Sequence, residues 1–158
     1  EEAMNKITAS ILLMTSVLLL ISEQSFAQPG GMMRWQGSQG WGQDTQYSRM
    51  YNPQTIETIS GKIVSIDRTS PMPKMSQGVH LMVQTDKEII PVHLGPEWYI
   101  INQDMQLQVN ERVEIKGSKV NFNGKSTIVA AQVKKGSKIL TLRDENGFPL
   151  WSGCCRSF

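Results

Sequence analysis

The sequence predicts an all-β fold, a five-stranded barrel with one short helix between strands three and four and a hairpin at its C-terminal end. From Thr55 onward, short runs alternate apolar and polar residues, which is the period of a strand with one buried face. Residues rich in Gly, Pro, Asn and Asp separate these runs. Helical spacing of apolar residues is confined to residues 96–105. Together these features favour a barrel over a helical or mixed fold.

The first strand is predicted over residues 56–67 and is expected to bend. Its apolar phase shifts by one residue at Ile63-Val64, close to Gly61. Such a shift beside glycine is typical of a β-bulge. Residues 68–77 contain two prolines and are predicted to form a loop.

The second and third strands are predicted to form a hairpin. Val79, Leu81 and Val83 alternate with His80, Met82 and Gln84, and Ile90, Val92 and Leu94 alternate with Ile89, Pro91 and His93. Asp86-Lys87 lies between the two runs as a turn. This turn places His80 directly opposite His93, pointing away from the apolar face, provided that no bulge intervenes.

The remaining elements follow the helix. Pro96 suits the first turn of a helix, and Trp98, Ile101 and Met105 are spaced as on one helix face. Beyond it, strands are predicted at residues 111–122 and 126–133 around Asn123-Gly124, a strong hairpin signal. Residues 138–143 and 148–151 are predicted to form the last hairpin.

This order of elements is that of an OB-type barrel, which has five strands. The predicted organisation is a leader and signal peptide at residues 1–27, removed on export, and a flexible Gly/Gln/Trp-rich arm at 28–54. The barrel is predicted at 55–143, with a C-terminal hairpin and tail at 144–158. The aromatic residues of the arm either contact a partner or pack on the barrel.

The N-terminal segment predicts export. Lys6 precedes an apolar stretch from Ile7 to Ile21, and Ser25-Phe26-Ala27 places small residues where a signal peptidase cleaves. The apolar stretch is shorter than the roughly 20 residues that a membrane-spanning helix needs. We therefore expect a periplasmic or secreted protein, cleaved near Ala27, without an integral membrane span in the mature chain.

Several segments resemble a family of small exported bacterial OB-like proteins, often labelled as DNA-binding. The resemblance covers about residues 47–153 and rests on these segments: Tyr51-Asn52-Pro53, Gly78-Val79-His80-Leu81, Val92-His93-Leu94-Gly95-Pro96-Glu97-Trp98-Tyr99, and Leu142 to Gly153. It implies an OB fold and a role in nucleic-acid binding. Cys154-Cys155 departs from the family pattern, in which an aromatic residue and arginines follow Trp-Ser-Gly.

One candidate site is a metal centre. Directly opposed side chains have Cβ atoms about 4.5–5.5 Å apart, so the imidazoles of His80 and His93 are close enough to share an ion. Imidazole together with thioether sulfur from Met82 and Met75 suits copper. The alternative is a histidine pair on the sheet surface with no ligand, and no cofactor is then required.

The second candidate site is basic. Residues 112–143 contain eight basic residues and one acid, Glu114. The candidate contacts for single-stranded nucleic acid or another anion are Arg112, Lys116, Lys119, Lys125, Lys134, Lys135 and Lys138, with Arg143 in the same run. Nucleic-acid OB folds also need aromatic rings for stacking, and Phe122 alone is aromatic on these strands, so a solvated lysine face is the competing interpretation.

The large aromatic residues are interpreted as structural. Trp98 and Tyr99 on the helix are expected to plug one end of the barrel, and Trp151 to cover it from the last hairpin. The sequence shows no nucleophile motif and no glycine-rich phosphate loop, so an enzyme is not expected. The predicted function is a non-enzymatic binding or adaptor protein of the cell envelope, with an envelope protein or anionic ligand as partner. Single-stranded nucleic-acid binding and copper-type metal binding are the alternatives.

Overall fold

The computed structural model describes residues 38–152, which form a closed β-barrel. Six strands follow in the order β1 Ile56–Thr69, β2 Gly78–Gln84, β3 Ile89–Pro96, β4 Arg112–Phe122, β5 Lys125–Lys135 and β6 Lys138–Thr141. Within residues 38–152 the one α-helix, α1, covers Glu97–Ile100 between β3 and β4. The predicted signal peptide, residues 28–37 of the predicted arm and Cys154-Cys155 lie outside the described residues.

The strand order confirms the OB-type barrel. Along the sheet the order is β3-β2-β1-β4-β5-β6, and a parallel pairing of β3 with β5 closes the ring. Strand β1 serves both halves of the barrel: residues 56–62 pair with β4 and residues 62–69 pair with β2. The predicted bulge lies between Ile63 and Ser65, where β1 leaves one partner for the other.

The interior is filled by alternating apolar residues of all the strands. Ile63, Leu81, Val92, Ile115, Ile128 and Val133 are each completely buried. Burial of such side chains contributes about 1.5–3 kcal/mol each relative to exposure. The alternation read from the sequence therefore identifies the core face of the barrel.

The helix is shorter than the ten-residue segment predicted. The side-chain amides of Asn102 and Gln103 donate to the carbonyls of Trp98 and Tyr99 at 2.7 and 3.0 Å, so they satisfy backbone acceptors where the helix ends. As a result Ile101, expected on the apolar face, is 53% exposed.

The predicted last hairpin is also different. Residues 138–141 pair with β5 as a sixth strand, and a lone bridge joins Arg143 to Pro149. The Asp144 carboxylate accepts hydrogen bonds from the backbone of Asn146 and Phe148 at 2.9 and 2.8 Å. These bonds fold the segment into a compact loop in place of a ladder.

Residues 38–55, which we call the strap, are ordered and pack on the barrel. Trp41 and Tyr47 are 1% and 2% exposed. The part of the predicted flexible arm that belongs to the strap is therefore packed on the barrel. The indole of Trp41 donates to the carbonyl of Ser76 at 3.2 Å, and that of Trp151 donates to the carbonyl of Trp41 at 3.0 Å. Of the two roles left open for the aromatic residues of the arm, packing on the barrel holds for Trp41 and Tyr47.

Candidate functional site

A groove of about 840 Å³ opens between the first half of β1 and the turn joining β2 to β3. It exists because β2 begins to pair with β1 only at Lys62, so residues 57–61 have β4 on one side and open space on the other. Gly61 permits this crossing, since a Cβ at that position would collide with the backbone oxygen of Gln84. A glycine is therefore required where β2 passes over β1.

The charged residues around the groove are partly neutralised and partly free. Lys119 forms an ion pair with Glu57 at 3.3 Å across β4 and β1. Lys62 and Arg112 lie directly opposite each other in the β1–β4 ladder, and neither has an ion-pair partner among the described residues. Two like charges at directly opposed positions are unfavourable, so this pair favours an external anion.

The other predicted basic residues do not converge on this groove. Lys134 and Lys135 form ion pairs with Glu114 at 3.8 Å and Glu111 at 3.0 Å. These carboxylates pair with two of the eight basic residues in residues 112–143, and Glu57 pairs with a third, Lys119. The remaining members of the set, Lys116, Lys125 and Lys138, are exposed on the strands.

Arg143 is not part of a basic surface. It is 3% exposed and lies over the rings of Tyr51 and Trp151 at 5.1 and 5.0 Å, and it donates to the carbonyl of Gly147 at 3.0 Å. Burial lowers the pKa of its guanidinium. Its charge is thus held between aromatic faces within the fold.

The two histidines are opposed as predicted, and His93 lies beneath the strap. His80 pairs with His93, and their rings stack at a centroid distance of 4.0 Å with 11° between the planes. Tyr47 of the strap lies beside His93: the ring centroids are 5.9 Å apart, and the Tyr47 hydroxyl is 3.0 Å from His93 Nδ1. Phe122 meets His93 edge-on at 4.8 Å.

Both imidazoles are held in the neutral form. Burial, together with the neighbouring His80, lowers the pKa of His93 to about 3. Burial also lowers the pKa of His80, although the carboxylate of Asp67 opposes that effect. At neutral pH the stack is therefore an uncharged packing element with nitrogen lone pairs in the ring planes.

The predicted metal ligands are brought together only in part. Because imidazole nitrogens bind metals in the plane of the ring, two parallel stacked rings direct their lone pairs side by side and do not converge on one ion. Met82 lies on the same strand face as His80, whereas Met75 packs against the core beside the strap at Gly40. Among residues 38–152 no group of three or more His, Cys, Asp or Glu residues is arranged to hold a metal.

The predicted structural aromatics all contact the core. Trp151 is 4% exposed, and its ring lies 5.6 Å from that of Tyr99. Trp98 and Tyr99 are half-buried against the barrel, and the indole nitrogen of Trp98 is buried without a partner. They lie at the end of the barrel where α1 follows β3.

Sequence reasoning did not identify Tyr47, Lys62 or Glu57 as site residues. Tyr47 stands in a segment whose Gly and Gln content suggests disorder, and only its tertiary contact with His93 shows its role. Lys62 becomes a site residue through the β1–β4 register, which places it opposite Arg112. That register is not readable from the sequence, because β1 and β4 are separated by two other strands.

Within the described residues no helix is long and apolar enough to cross a membrane.

Comparison with known proteins places the chain in a family. The N-terminal domain of PriB from Thermoanaerobacter tencongensis is similar with a TM-score of 0.43 and 15% identity, covering 54% of this chain and 99% of that one. The S. pombe Stn1-Ten1 complex is similar with a TM-score of 0.38 and 16% identity, covering 67% of this chain and 81% of that one. No curated protein matches. Residues 55–140 match the MamS/MamX magnetosome protein family, and the chain belongs to that family.

Proposed function

We propose that this protein is an exported, non-enzymatic binding or adaptor protein that acts at the magnetosome, with the groove beside β1 as its ligand site. The family description supports the magnetosome as the place of action. The observation that carries the binding role is the open groove of about 840 Å³ with the free cations Lys62 and Arg112 at its edge. Export after cleavage near Ala27 is consistent with a role in the envelope.

The chemistry of the described residues supports binding over catalysis. The two histidines are stacked on each other. His93 is buried, neutral and covered by Tyr47, so it is not positioned to exchange protons with a substrate, and Nδ1 of His80 lies 3.2 Å from the Thr69 hydroxyl. In the groove, Glu57 is engaged by Lys119, and the other two carboxylates, Asp86 and Glu88, are exposed on the turn between β2 and β3 beside Lys87. No histidine, cysteine or aromatic residue lines the walls in the described part of the chain. These features suit recognition of a charged partner.

The same lining favours an anionic protein partner over single-stranded nucleic acid. OB folds bind single strands through stacked bases as well as positive charge, and His93 is buried and already stacked on His80. Nucleic-acid binding predicts retardation of a single-stranded oligonucleotide at low salt, with a salt slope that falls when cations are removed. Copper binding predicts a mass increase of one copper ion that disappears in His80→Ala and His93→Ala.

The experiment is sedimentation of the purified mature protein with isolated magnetosomes. The variant K62S/R112S removes the two free cations of the groove, and K125S/K138S removes two exposed cations elsewhere. We expect the groove variant to lose most of its binding and the control variant to retain it. Equal recovery of both variants would refute the groove as the ligand site. Native mass spectrometry with added copper, and oligonucleotide retardation, test the two alternatives on the same proteins.

A further inference from the structure

The first half of β1 is a strand with one free edge. Residues 56–62 pair with β4, but pairing with β2 starts at Lys62 and continues only toward the C-terminal end of β1. Natural proteins protect such edges, because unpaired backbone groups are a template for another strand. Here the edge forms one wall of the groove.

The register identifies which backbone groups point into the groove. Ile63 directs both its amide and its carbonyl toward the β4 side, where they bond to Glu111 and Asn110 at 2.9 and 2.8 Å. Backbone direction alternates along an antiparallel strand, and the β1–β4 ladder has no register shift. The amides and carbonyls of Thr58 and Ser60 therefore point away from β4, toward the groove, and both residues are exposed.

The two faces of this edge have different chemistry. The inner face carries Ile59, which packs against the core, and Ile90 lies across the groove. The outer face carries Lys62 opposite Arg112, with Lys116 opposite Thr58 further along. A strand added at the edge alternates its side chains between these faces. The inner face is apolar at Ile59, with the Glu57–Lys119 ion pair beside it. The outer face carries three cations around Glu114, which lies opposite Ser60 and is itself paired with Lys134.

We propose that the free edge at Thr58–Ser60 binds an extended acidic peptide segment of a partner protein by β-strand addition. The backbone of Thr58 and Ser60 supplies four hydrogen bonds, which give affinity. An apolar side chain of the peptide lies over Ile59 and Ile90, and carboxylates on either side of it face Lys62 and Arg112. This inference rests on the proposed function and names the partner class for that groove.

A second copy of this chain is the less favourable occupant. If two β1 edges paired antiparallel about Ser60, Lys62 of one copy would lie beside Thr58 and Lys116 of the other. Cations would then face cations, and like charges at neighbouring cross-strand positions are destabilising. The charge pattern instead selects a segment with alternating carboxylates.

The test measures fluorescence anisotropy of a labelled heptapeptide, Glu-Val-Glu-Ile-Glu-Val-Glu, with the full mature protein. We expect saturable binding and protection from hydrogen exchange at the amides of Thr58 and Ser60. K62E/R112E should weaken binding at least about tenfold, whereas K125E/K138E, which changes the same net charge, should leave it within about twofold. The same peptide with N-methyl groups on alternate residues should not bind, because strand addition needs its amide donors.

Specific outcomes overturn the proposal. Equal binding of the N-methylated peptide, protection elsewhere on the barrel, or doubling of the native mass without peptide would each exclude peptide strand addition. Thermal unfolding of each variant shows that it is folded. Ser60→Pro is a second variant, because it removes a backbone donor at the free edge while leaving the hydrogen bonds to β4 in place. Loss of magnetosome binding in K62S/R112S without peptide binding would leave the proposed function standing and this inference refuted.

Discussion

Burial of His93 makes the stability of the barrel depend on pH in a defined direction. The ring is 5% exposed, and the groups that face it are the Tyr47 hydroxyl, the imidazole of His80 and the edge of Phe122. Its pKa in the folded protein is about 3, whereas an imidazole in the unfolded chain has a pKa of about 6.5. Below pH 6.5 the unfolded chain therefore binds a proton that the folded protein excludes.

The size of the effect follows from linkage. The contribution is fully present above pH 6.5, and it is lost as the pH falls from 6.5 toward 3, because the unfolded state binds more protons in that range. At pH 4.5, two pH units below the unfolded pKa, the loss amounts to about 3 kcal/mol. This is a large part of the stability of an ordinary domain.

The assay is urea unfolding of the wild type and of His93→Gln at pH 7.5 and pH 4.5. Glutamine can accept the hydrogen bond of the Tyr47 hydroxyl and does not titrate, and the carboxylates of the protein titrate equally in both chains. We expect the wild type to lose about 3 kcal/mol more than His93→Gln between the two pH values. The same pH dependence in both proteins would refute the assignment of a buried neutral His93.

Two further predictions concern packing. Trp41→Ala should lower the free energy of unfolding by about 3–5 kcal/mol, because it empties a fully buried site at which the strap contacts Trp151. Urea denaturation measures this loss, and a loss below about 1 kcal/mol would mean that the strap does not stabilise the barrel. Gly61→Ala should cost about 1–3 kcal/mol because its Cβ would collide with Gln84, whereas the neighbouring exposed Ser60→Ala should change stability by less than about 0.5 kcal/mol. Equal losses at the two positions would contradict the close approach of β2 to Gly61.

The features that were predicted well are set by residues that are close together in the sequence. The turn at Asp86-Lys87 is short, so it sets the register of β2 and β3, and His80 lies opposite His93 as expected. The predicted helix length and the predicted last hairpin were wrong. The Asn102 side chain donates to a backbone carbonyl where the helix ends, and the Asp144 carboxylate accepts from backbone amides in place of a second ladder. Such bonds compete with backbone pairing and leave no periodic signal.

By itself, the sequence determined the all-β class, the order of strands and helix, the core face and the opposed histidine pair, because alternation and turn residues act over short distances along the chain. Only the tertiary structure decided that β3 closes on β5, that the strap covers His93 with Tyr47, and that Arg143 is buried between aromatic rings. It also decided that β1 keeps a free edge beside the groove. These features join residues that are far apart in the chain, and their stability comes from burial and long-range pairing rather than from local preference.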